Sequence, residues 1–194
     1  MLLALNVKAT RYYLVGDPKQ LPATLIYQKA KQLGCDRSLF ERYNWGSPSH
    51  LLETQHRMHN HISQFTSKHF YMGRLYDSEA IRKPGYEPYY KCLKLYTFYN
   101  VVNGQEQHAS GSMSPYNEAK CFGFYENLKE KMKKFQKLSV DTIDTFQGQE
   151  RDVIILTCVK TNGIGFVGDK KRMNVALTRA KRALWESNLA RCED

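Results

Sequence analysis

Four short polar clusters hold most of the side chains in this sequence that could do chemistry. They contain arginines, whose planar guanidinium can form paired hydrogen bonds, and glycines, which let backbone approach a ligand closely. Taken singly, each arginine is more often a surface salt-bridge partner. The order of all four together is far more specific. The clusters are Gly16-Asp-Pro-Lys-Gln-Leu-Pro22, Gln55-His-Arg-Met-His59, Asp144-Thr-Phe-Gln-Gly-Gln-Glu150 and Val175-Ala-Leu-Thr-Arg-Ala-Lys181.

Strands that alternate with helices must position these clusters. Such alternation predicts an α/β fold with a parallel sheet, in which the turns at strand ends are a common place for chemistry. No internal repeat is visible. The predicted strands are Arg11–Asp17, Leu51–Thr54, Lys91–Val102, Val140–Ile143 and Val153–Val159, and the predicted helices lie between Ile26 and Tyr43, from Met58 to Tyr71, from Glu118 to Phe135, and from Asn174 onward.

Local signals sharpen several of these elements. Arg11–Asp17 is rich in aromatic and aliphatic residues, and it ends in a Gly-Asp-Pro turn, which predicts a buried strand. Val153–Val159 is almost wholly apolar and is predicted to be buried on both faces. Ser38-Leu-Phe-Glu41 resembles a capping box, and Asn174 is a plausible helix N-cap. The apolar face of the 58–71 helix is predicted from Ile62, Phe65 and Phe70.

The charge balance points to a polyanion partner. The chain carries 29 Lys and Arg against 19 Asp and Glu, a formal net charge of +10. Excess positive charge of this size favours nucleic acid as a partner, although a merely basic surface gives the same count.

Cysteines and histidines do not predict a metal site or a disulfide framework. The five cysteines are odd in number and form no C-x-x-C pair, a usage that fits a nuclear or cytoplasmic protein. His56, His59 and His61 lack an H-E-x-x-H pattern and a cysteine or carboxylate at ligand spacing, so we predict no metal. The apolar start, Met1–Val7, is too short for a signal peptide or a membrane span, and we expect no membrane association.

The order of the four clusters resembles motifs III, IV, V and VI of superfamily 1 nucleic-acid helicases, particularly the group that contains senataxin and the nonsense-mediated-decay helicase. In that family two RecA-like domains clamp ATP between them and grip a single strand. The likeness covers most of the chain and implies a RecA-like, P-loop NTPase-type parallel sheet flanked by helices. Residues 1–27 would be the end of the first RecA-like domain, 28–48 a connector, and 49–194 an abridged second domain.

The resemblance implies a role for each cluster at the nucleotide. Gln20 would sense the γ-phosphate or the attacking water, in a turn shaped by Gly16 and Asp17. Arg57 and Arg179 match the two arginine fingers of the family, which stabilise charge as the γ-phosphoryl group leaves.

Further positions would complete the nucleotide site. Gln55 falls at a nucleotide-binding position of the motif that contains Arg57. Gly148, Gln149 and Glu150 match the motif V segment that holds the ribose or couples the nucleotide to the strand.

Contacts with the nucleic acid are expected from a separate set of residues. Thr142 and Thr145 are candidates for binding its phosphates. Lys137, in the lysine-rich end of the 118–137 segment, could touch the backbone, although a solvated helix face is the commoner meaning of such a run.

The sequence also departs from the family. No G-x-x-x-x-G-K-[ST] occurs in the 194 residues, and the acidic pair that would hold Mg²⁺ belongs upstream of Gly16. ATP and Mg²⁺ are therefore expected in the complete enzyme, with weak or no ATP binding by this chain alone. Met1 is interpreted as an internal start, a truncated isoform or a partial gene model.

The second domain is expected to be shortened. The strand and turn that the family carries between the 118–135 helix and Val140 have no counterpart. Trp185–Ala190 stands where the family has a closing apolar strand, so we expect an incomplete sheet with exposed edges.

Together these features support one functional hypothesis and one alternative. The hypothesis is the C-terminal part of an ATP-dependent RNA or DNA helicase, which supplies the arginine-finger wall of the ATP cleft and part of the single-strand grip. The alternative is a catalytically inactive nucleic-acid or protein-binding module derived from such a helicase. Expected partners are single-stranded RNA or DNA and proteins of an RNA-processing complex.

Overall fold

The chain divides into two compact units, Met1–Leu52 and Glu53–Asp194, in a computed structural model. The predicted 118–135 helix, Lys137 and Val140 lie outside the residues that the structure describes. Those described are 11, 13–23, 25–43, 49–83, 95–100, 107–108, 115–116, 139, 141–157 and 168–188.

The first unit contains two short helices, α1 (Gln28–Gln32) and α2 (Leu39–Tyr43). They confirm the helical prediction for this stretch. The Oγ of Ser38 accepts a hydrogen bond from the backbone N–H of Glu41 at 3.0 Å, which is one half of the predicted capping box.

The predicted strand at Arg11–Asp17 is wrong. Its described residues pair with no strand among the described parts of the chain, and Tyr13 and Val15 are 86% and 91% exposed. A buried strand needs hydrogen-bonded neighbours on its edges and packed layers on its faces, and local composition supplies neither. The turn that follows Asp17 is present, since the backbone N–H of Gln20 donates to the carbonyl of Asp17 at 3.1 Å.

The second unit is built on parallel strands, which confirms the α/β prediction. Two-residue strands β1 (Thr54–Gln55) and β2 (Tyr76–Asp77) pair in parallel. The main sheet has the order β3-β7-β6, with β3 (Tyr96–Asn100), β6 (Arg151–Thr157) and β7 (Ala180–Asn188) all parallel. An antiparallel pair, β4 (Gln107–His108) and β5 (Pro115–Tyr116), lies apart from it.

Strand β7 is the centre of the described sheet. Trp185 pairs with a residue on each neighbouring strand and is fully buried, as is Ala183. This corrects the expectation for the start of the 185–190 segment, which forms a paired strand through Asn188. Ala183, Leu184, Trp185 and Ser187 are all buried, so β7 is covered on both faces, as expected for the middle strand of a parallel sheet.

Two other strand predictions need correction. Asp141 and Thr142 form no strand, and Ile143–Gly148 is a turn, so the predicted 140–143 strand is wrong for its described residues. Hydroxyl side chains in this segment bond locally, which competes with a strand. Strand β6 confirms the 153–159 prediction as far as Thr157, where the described residues end, but Leu156 is the one residue of β6 that is buried, so the strand is not buried on both faces.

Helix α3 (Asn60–Phe70) covers one side of the core, and helix α4 (Glu79–Arg82) follows β2. Ile62 and Phe70 are buried as predicted, whereas Phe65 is 55% exposed. Thr66 takes the inward position, since it lies four residues from both Ile62 and Phe70 on one helix face, and its hydroxyl donates to the carbonyl of Ser63 at 3.0 Å. The core cluster comprises Met58, Ile62, Phe70, Leu156, Ala176, Leu177, Ala180 and Leu184.

Helix α5 (Lys170–Leu177) begins earlier than the sequence predicted. Its N-cap is Asp169, whose carboxylate accepts the backbone N–H groups of Lys171 and Arg172 at 3.0 and 3.2 Å. The predicted cap, Asn174, is instead buried inside the helix, where its amide donates to the hydroxyl of Tyr71 at 2.9 Å. A carboxylate binds these amide donors and also complements the positive end of the helix.

Within the described residues, no helix combines the length and apolar character needed to cross a membrane.

The Asp169 cap provides a test of this helix boundary. Asp169→Ala should lower the free energy of unfolding by about 1 kcal/mol, because two amide donors lose their acceptor. Asp169→Asn should lose much less, since asparagine is as good a cap. Urea unfolding followed by circular dichroism measures both. Equal losses in the two variants would show that the cap hydrogen bonds do not stabilise α5.

Candidate functional site

The loop that carries Arg57 is shaped by the side chain of Gln55. Its Oε1 accepts the backbone N–H groups of Arg57 and Met58 at 2.9 and 2.8 Å. Its Nε2 donates to the carbonyl of Met58 at 2.8 Å and to the Oδ1 of Asp77 at 2.5 Å. A carboxamide has two N–H donors and two acceptor lone pairs. All four positions are used, so this amide fixes the turn from which Arg57 projects.

Asp77 connects that loop to helix α3. Besides Gln55, its Oδ1 accepts a hydrogen bond from the Oγ of Ser63 at 2.8 Å. Sequence reasoning missed this residue, because it lies 22 positions from Gln55 in no recognised motif. The only feature of Asp77 visible in the sequence was a carboxylate a few residues after the predicted 58–71 helix.

Arg57 belongs to a cluster of three charged side chains. Its Nε donates to the Oε2 of Glu150 at 2.5 Å, and its Nη1 donates to the carbonyl of Thr178 at 3.1 Å. The Nζ of Lys181 lies 2.7 Å from the other oxygen of Glu150. We call Arg57, Glu150 and Lys181 the charged trio. Their side chains are each about a third exposed, at 34%, 39% and 34%, so solvent and ligands can reach them.

The two cations of the trio lower the pKa of the Glu150 carboxyl. The hydrogen bond from Lys181 is the largest influence and that from Arg57 the next, and together they hold the pKa of Glu150 below its ordinary value of 4.5 although burial opposes them. Glu150 is therefore ionised at neutral pH and bound to both cations.

Arg179 lies beside the trio but is buried, with 3% of its surface exposed. Its Nε donates to the carbonyl of Val175 at 3.0 Å and its Nη1 to the carbonyl of Gln149 at 3.2 Å. Its Nη2 donates to the Oγ1 of Thr178 at 3.2 Å. The guanidinium thus joins the turn after α5 to the segment before β6.

The structure brings three of the four sequence clusters together. Thr178 is the junction, because its carbonyl accepts from Arg57 and its hydroxyl from Arg179. The backbone N–H of His59 donates to the carbonyl of Lys181 at 2.6 Å, which fixes the Arg57 loop against the start of β7. Lys181 lies at the end of the fourth cluster, and sequence reasoning gave it no role.

The turn at residues 142–148 contains Thr142 and Thr145, which the sequence analysis predicted to bind nucleic acid. The hydroxyls of Thr142 and Thr145 are 2.8 Å apart, and both side chains are exposed. Gly148 has a φ of +84°, which side-chain-bearing residues rarely adopt, so backbone conformation alone accounts for glycine here. Arg172 binds Asp144 through two contacts of 3.3 and 3.4 Å, which tie this turn to α5.

The first cluster lies in the first unit and has its own internal bonding. The two carboxylate oxygens of Asp17 accept from the backbone N–H of Lys19 at 2.9 Å and from the Nε2 of Gln20 at 3.0 Å. Asp17 therefore shapes the turn and orients the Gln20 amide. Gly16 lies against the ring of Phe40, where an added Cβ would make an ordinary contact of 3.7 Å.

The histidines form stacks. The rings of His59 and His61 lie with centroids 5.3 Å apart, and His59 caps α3 by accepting the backbone N–H of His61. Among the described residues, no group of three or more His, Cys, Asp or Glu side chains is arranged to hold a metal ion.

Comparison with known proteins identifies the family of this chain. The model of the AAA domain family matches residues 35–122 and 123–186. The chain is 31% identical to Helicase SEN1 of Saccharomyces cerevisiae, over 95% of this chain and 10% of that protein. It is 35% identical to Probable helicase MAGATAMA 3 of Arabidopsis thaliana, over 94% and 28%. It is 31% identical to the Regulator of nonsense transcripts 1 homolog of Drosophila melanogaster, over 89% and 18%.

The chain belongs to the AAA domain family and is a superfamily 1 helicase region of the senataxin and nonsense-mediated-decay type. This confirms the resemblance and the RecA-like fold class. The chain spans about a tenth to just over a quarter of the length of these relatives. The match to the yeast helicase extends over 226 residues, so the aligned region of that relative includes residues with no counterpart in this chain of 194.

The lowered pKa of Glu150 predicts a specific pH dependence of stability. The folded state holds the pKa below its unfolded value, so the trio stabilises the fold above about pH 4.5 and loses that effect as pH falls through the lowered pKa. Urea unfolding of the parent chain and of Glu150→Gln measures this from neutral to acidic pH. The difference in unfolding free energy between the two should stay constant down to about pH 4.5 and become smaller below it. A difference that grows under acid would contradict the charged trio.

Proposed function

We propose that this chain forms the second wall of the ATP cleft in a nucleic-acid helicase, with Arg57 and Arg179 as the cations that stabilise the transferring phosphoryl group. The charged trio carries the proposal: a partly exposed guanidinium is held by a shaped loop at the place where three motif clusters meet. A planar guanidinium can leave a carboxylate for a phosphate because the two ligands offer it similar paired oxygens.

The two arginines contribute differently in this proposal. Arg57 is accessible and needs only to exchange Glu150 for a phosphate. Arg179 is buried, and a phosphate contact requires the exchange of one of its bonds to Gln149 or Thr178. That exchange would move the segment at 148–150, which gives Gln149 and Glu150 a route to couple nucleotide and nucleic acid.

The remaining proposed roles concern the first unit and the exposed turn at residues 142–148. We propose that residues 1–27 end the first RecA-like domain, with Gln20 as the residue that senses the γ-phosphate or the attacking water. Residues 28–48 are proposed as the connector and 49–194 as the abridged second domain. Thr142 and Thr145 are proposed to bind the strand, since their exposed hydroxyls suit phosphate oxygens.

The residues present fit part of the nucleotide. Arginines suit the phosphates, whereas a Lys-containing phosphate loop is missing from the sequence and the described residues hold no metal-binding cluster. We therefore propose that ATP and Mg²⁺ act in the complete protein, in the nucleus or cytoplasm, on single-stranded RNA or DNA. The second candidate is a catalytically inactive binding module, for which the net charge of +10 and the exposed hydroxyls of Thr142 and Thr145 would suffice without ATP.

Fusion to a matching first RecA-like domain tests the arginine roles. The fused protein should hydrolyse ATP with stimulation by a single strand, whereas the chain alone should show no activity above background. Arg57→Ala or Arg179→Ala should lower turnover about 10³- to 10⁵-fold, as for a lost arginine finger. Arg→Lys should recover little, because an ammonium cannot bind in a bidentate manner. Gln20→Ala should lower turnover with a smaller effect on ATP binding.

The matched control is Arg74→Ala. Arg74 is 51% exposed and binds Glu53 through two contacts of 3.1 and 2.8 Å, away from the trio. Its loss should leave turnover within about two-fold of the parent, since an exposed ion pair contributes little. Finger variants that behave like Arg74→Ala would refute the assignment of Arg57 and Arg179. A fused protein that binds the strand but neither binds nor hydrolyses ATP would support the inactive module.

Binding of the chain alone to single strands should be weak and salt-sensitive. The net charge of +10 supplies a counterion-release contribution, so we expect Kd values of about 10⁻⁴–10⁻⁶ M that change little with sequence. Fluorescence anisotropy with labelled oligonucleotides across a salt series measures this. An affinity that is independent of salt would exclude the phosphate-contact mechanism.

A further inference from the structure

Glu150 divides its two oxygens between two cations. Arg57 binds Oε2 through Nε, and Lys181 binds Oε1 through Nζ. If Arg57 were its sole cationic partner, a departing guanidinium would leave an uncompensated carboxylate beside an incoming phosphate. Lys181 removes that difficulty, because one ion pair persists while the other is exchanged.

We propose that Lys181 is a positioning residue that shares the Glu150 carboxylate with Arg57 and so weakens the hold of Glu150 on the Arg57 guanidinium. This rests on the proposed function, in which Arg57 moves to a phosphate. Lys181 acts on Arg57 through Glu150 and touches no reacting atom.

A backbone hydrogen bond also links Lys181 to the loop that carries Arg57. The carbonyl of Lys181 accepts the N–H of His59 at 2.6 Å, two residues beyond Arg57. The loop of Arg57 is therefore anchored to the residue whose side chain competes for Glu150. The guanidinium can change partner while its loop stays fixed, since Gln55 holds the other end of the turn.

Electrostatics indicates the direction of the effect. Two like charges that share one carboxylate repel each other, and each weakens the attraction that the other feels. The lowered pKa of Glu150 agrees with both cations acting on it at once. Removal of the ammonium should therefore tighten the bond between Arg57 and Glu150.

Hydrogen exchange at the Nε–H of Arg57 reports this bond directly. The experiment uses the full 194-residue chain labelled with ¹⁵N, with the signal assigned from the Arg57→Lys spectrum. Lys181→Met should slow exchange with water about 1.5- to 5-fold, the range for a partly exposed ion pair. Lys181→Gln provides a second neutral variant in case Met impairs folding. Lys181→Arg should restore the parent rate, and Glu150→Gln should speed exchange.

The Nε–H of Arg74 serves as a reference in the same spectra, because it binds Glu53 at 3.1 Å and should not respond. Unchanged exchange at Arg57 in the neutral variants, or equal slowing at Arg57 and Arg74, would overturn the role of Lys181. Added inorganic tripolyphosphate tests the proposed function separately and should shift the Arg57 signal more than that of Arg74. If the Lys181 variants behave as expected but tripolyphosphate leaves Arg57 unmoved, the sharing of Glu150 between Lys181 and Arg57 stands and the phosphate role of Arg57 is what fails.

Discussion

The carboxylate of Glu150 is the interaction on which the candidate site depends. It lies immediately before β6 and binds one cation from the loop after β1 and one from the start of β7. Those segments come from distant parts of the sequence. Pairing of β6 with β7 brings Glu150 and Lys181 together, and the hydrogen bond from His59 to Lys181 holds the Arg57 loop beside them. A single negative charge then holds the two positive groups within reach of each other.

Much of the site was predictable because its motifs are short and keep their order along the chain. The resemblance of these motifs to those of superfamily 1 helicases predicted Arg57, Glu150 and Arg179 as members of one site, and the structure brings them around Thr178. Apolar content likewise predicted strand β6 and the helix that becomes α3. These features depend on local pattern, which a sequence displays directly.

The remaining features depend on contacts that a local pattern does not contain. Asn174 has the residue type of a cap but is buried inside α5, where the hydroxyl of Tyr71 binds it. The 11–17 segment has the composition of a strand, but its described residues pair with no described strand. Burial of Arg179 and the pairing of Lys181 with Glu150 also arise from tertiary placement. Sequence reasoning therefore named residues that the structure brings together, but it did not distinguish the accessible arginine from the buried one.

The four hydrogen bonds of Gln55 determine which residues would have to accompany Arg57 to another protein scaffold. Glutamate has nearly the same shape but offers no donor, so it would direct a second carboxylate at Asp77. Asparagine is one methylene shorter and falls short of the same four partners. An engineer who transplanted Arg57 and its loop onto another scaffold would have to carry over Gln55, Asp77 and Ser63 as well. The smallest transferable unit is therefore a strand pair with its intervening helix, and not a five-residue motif.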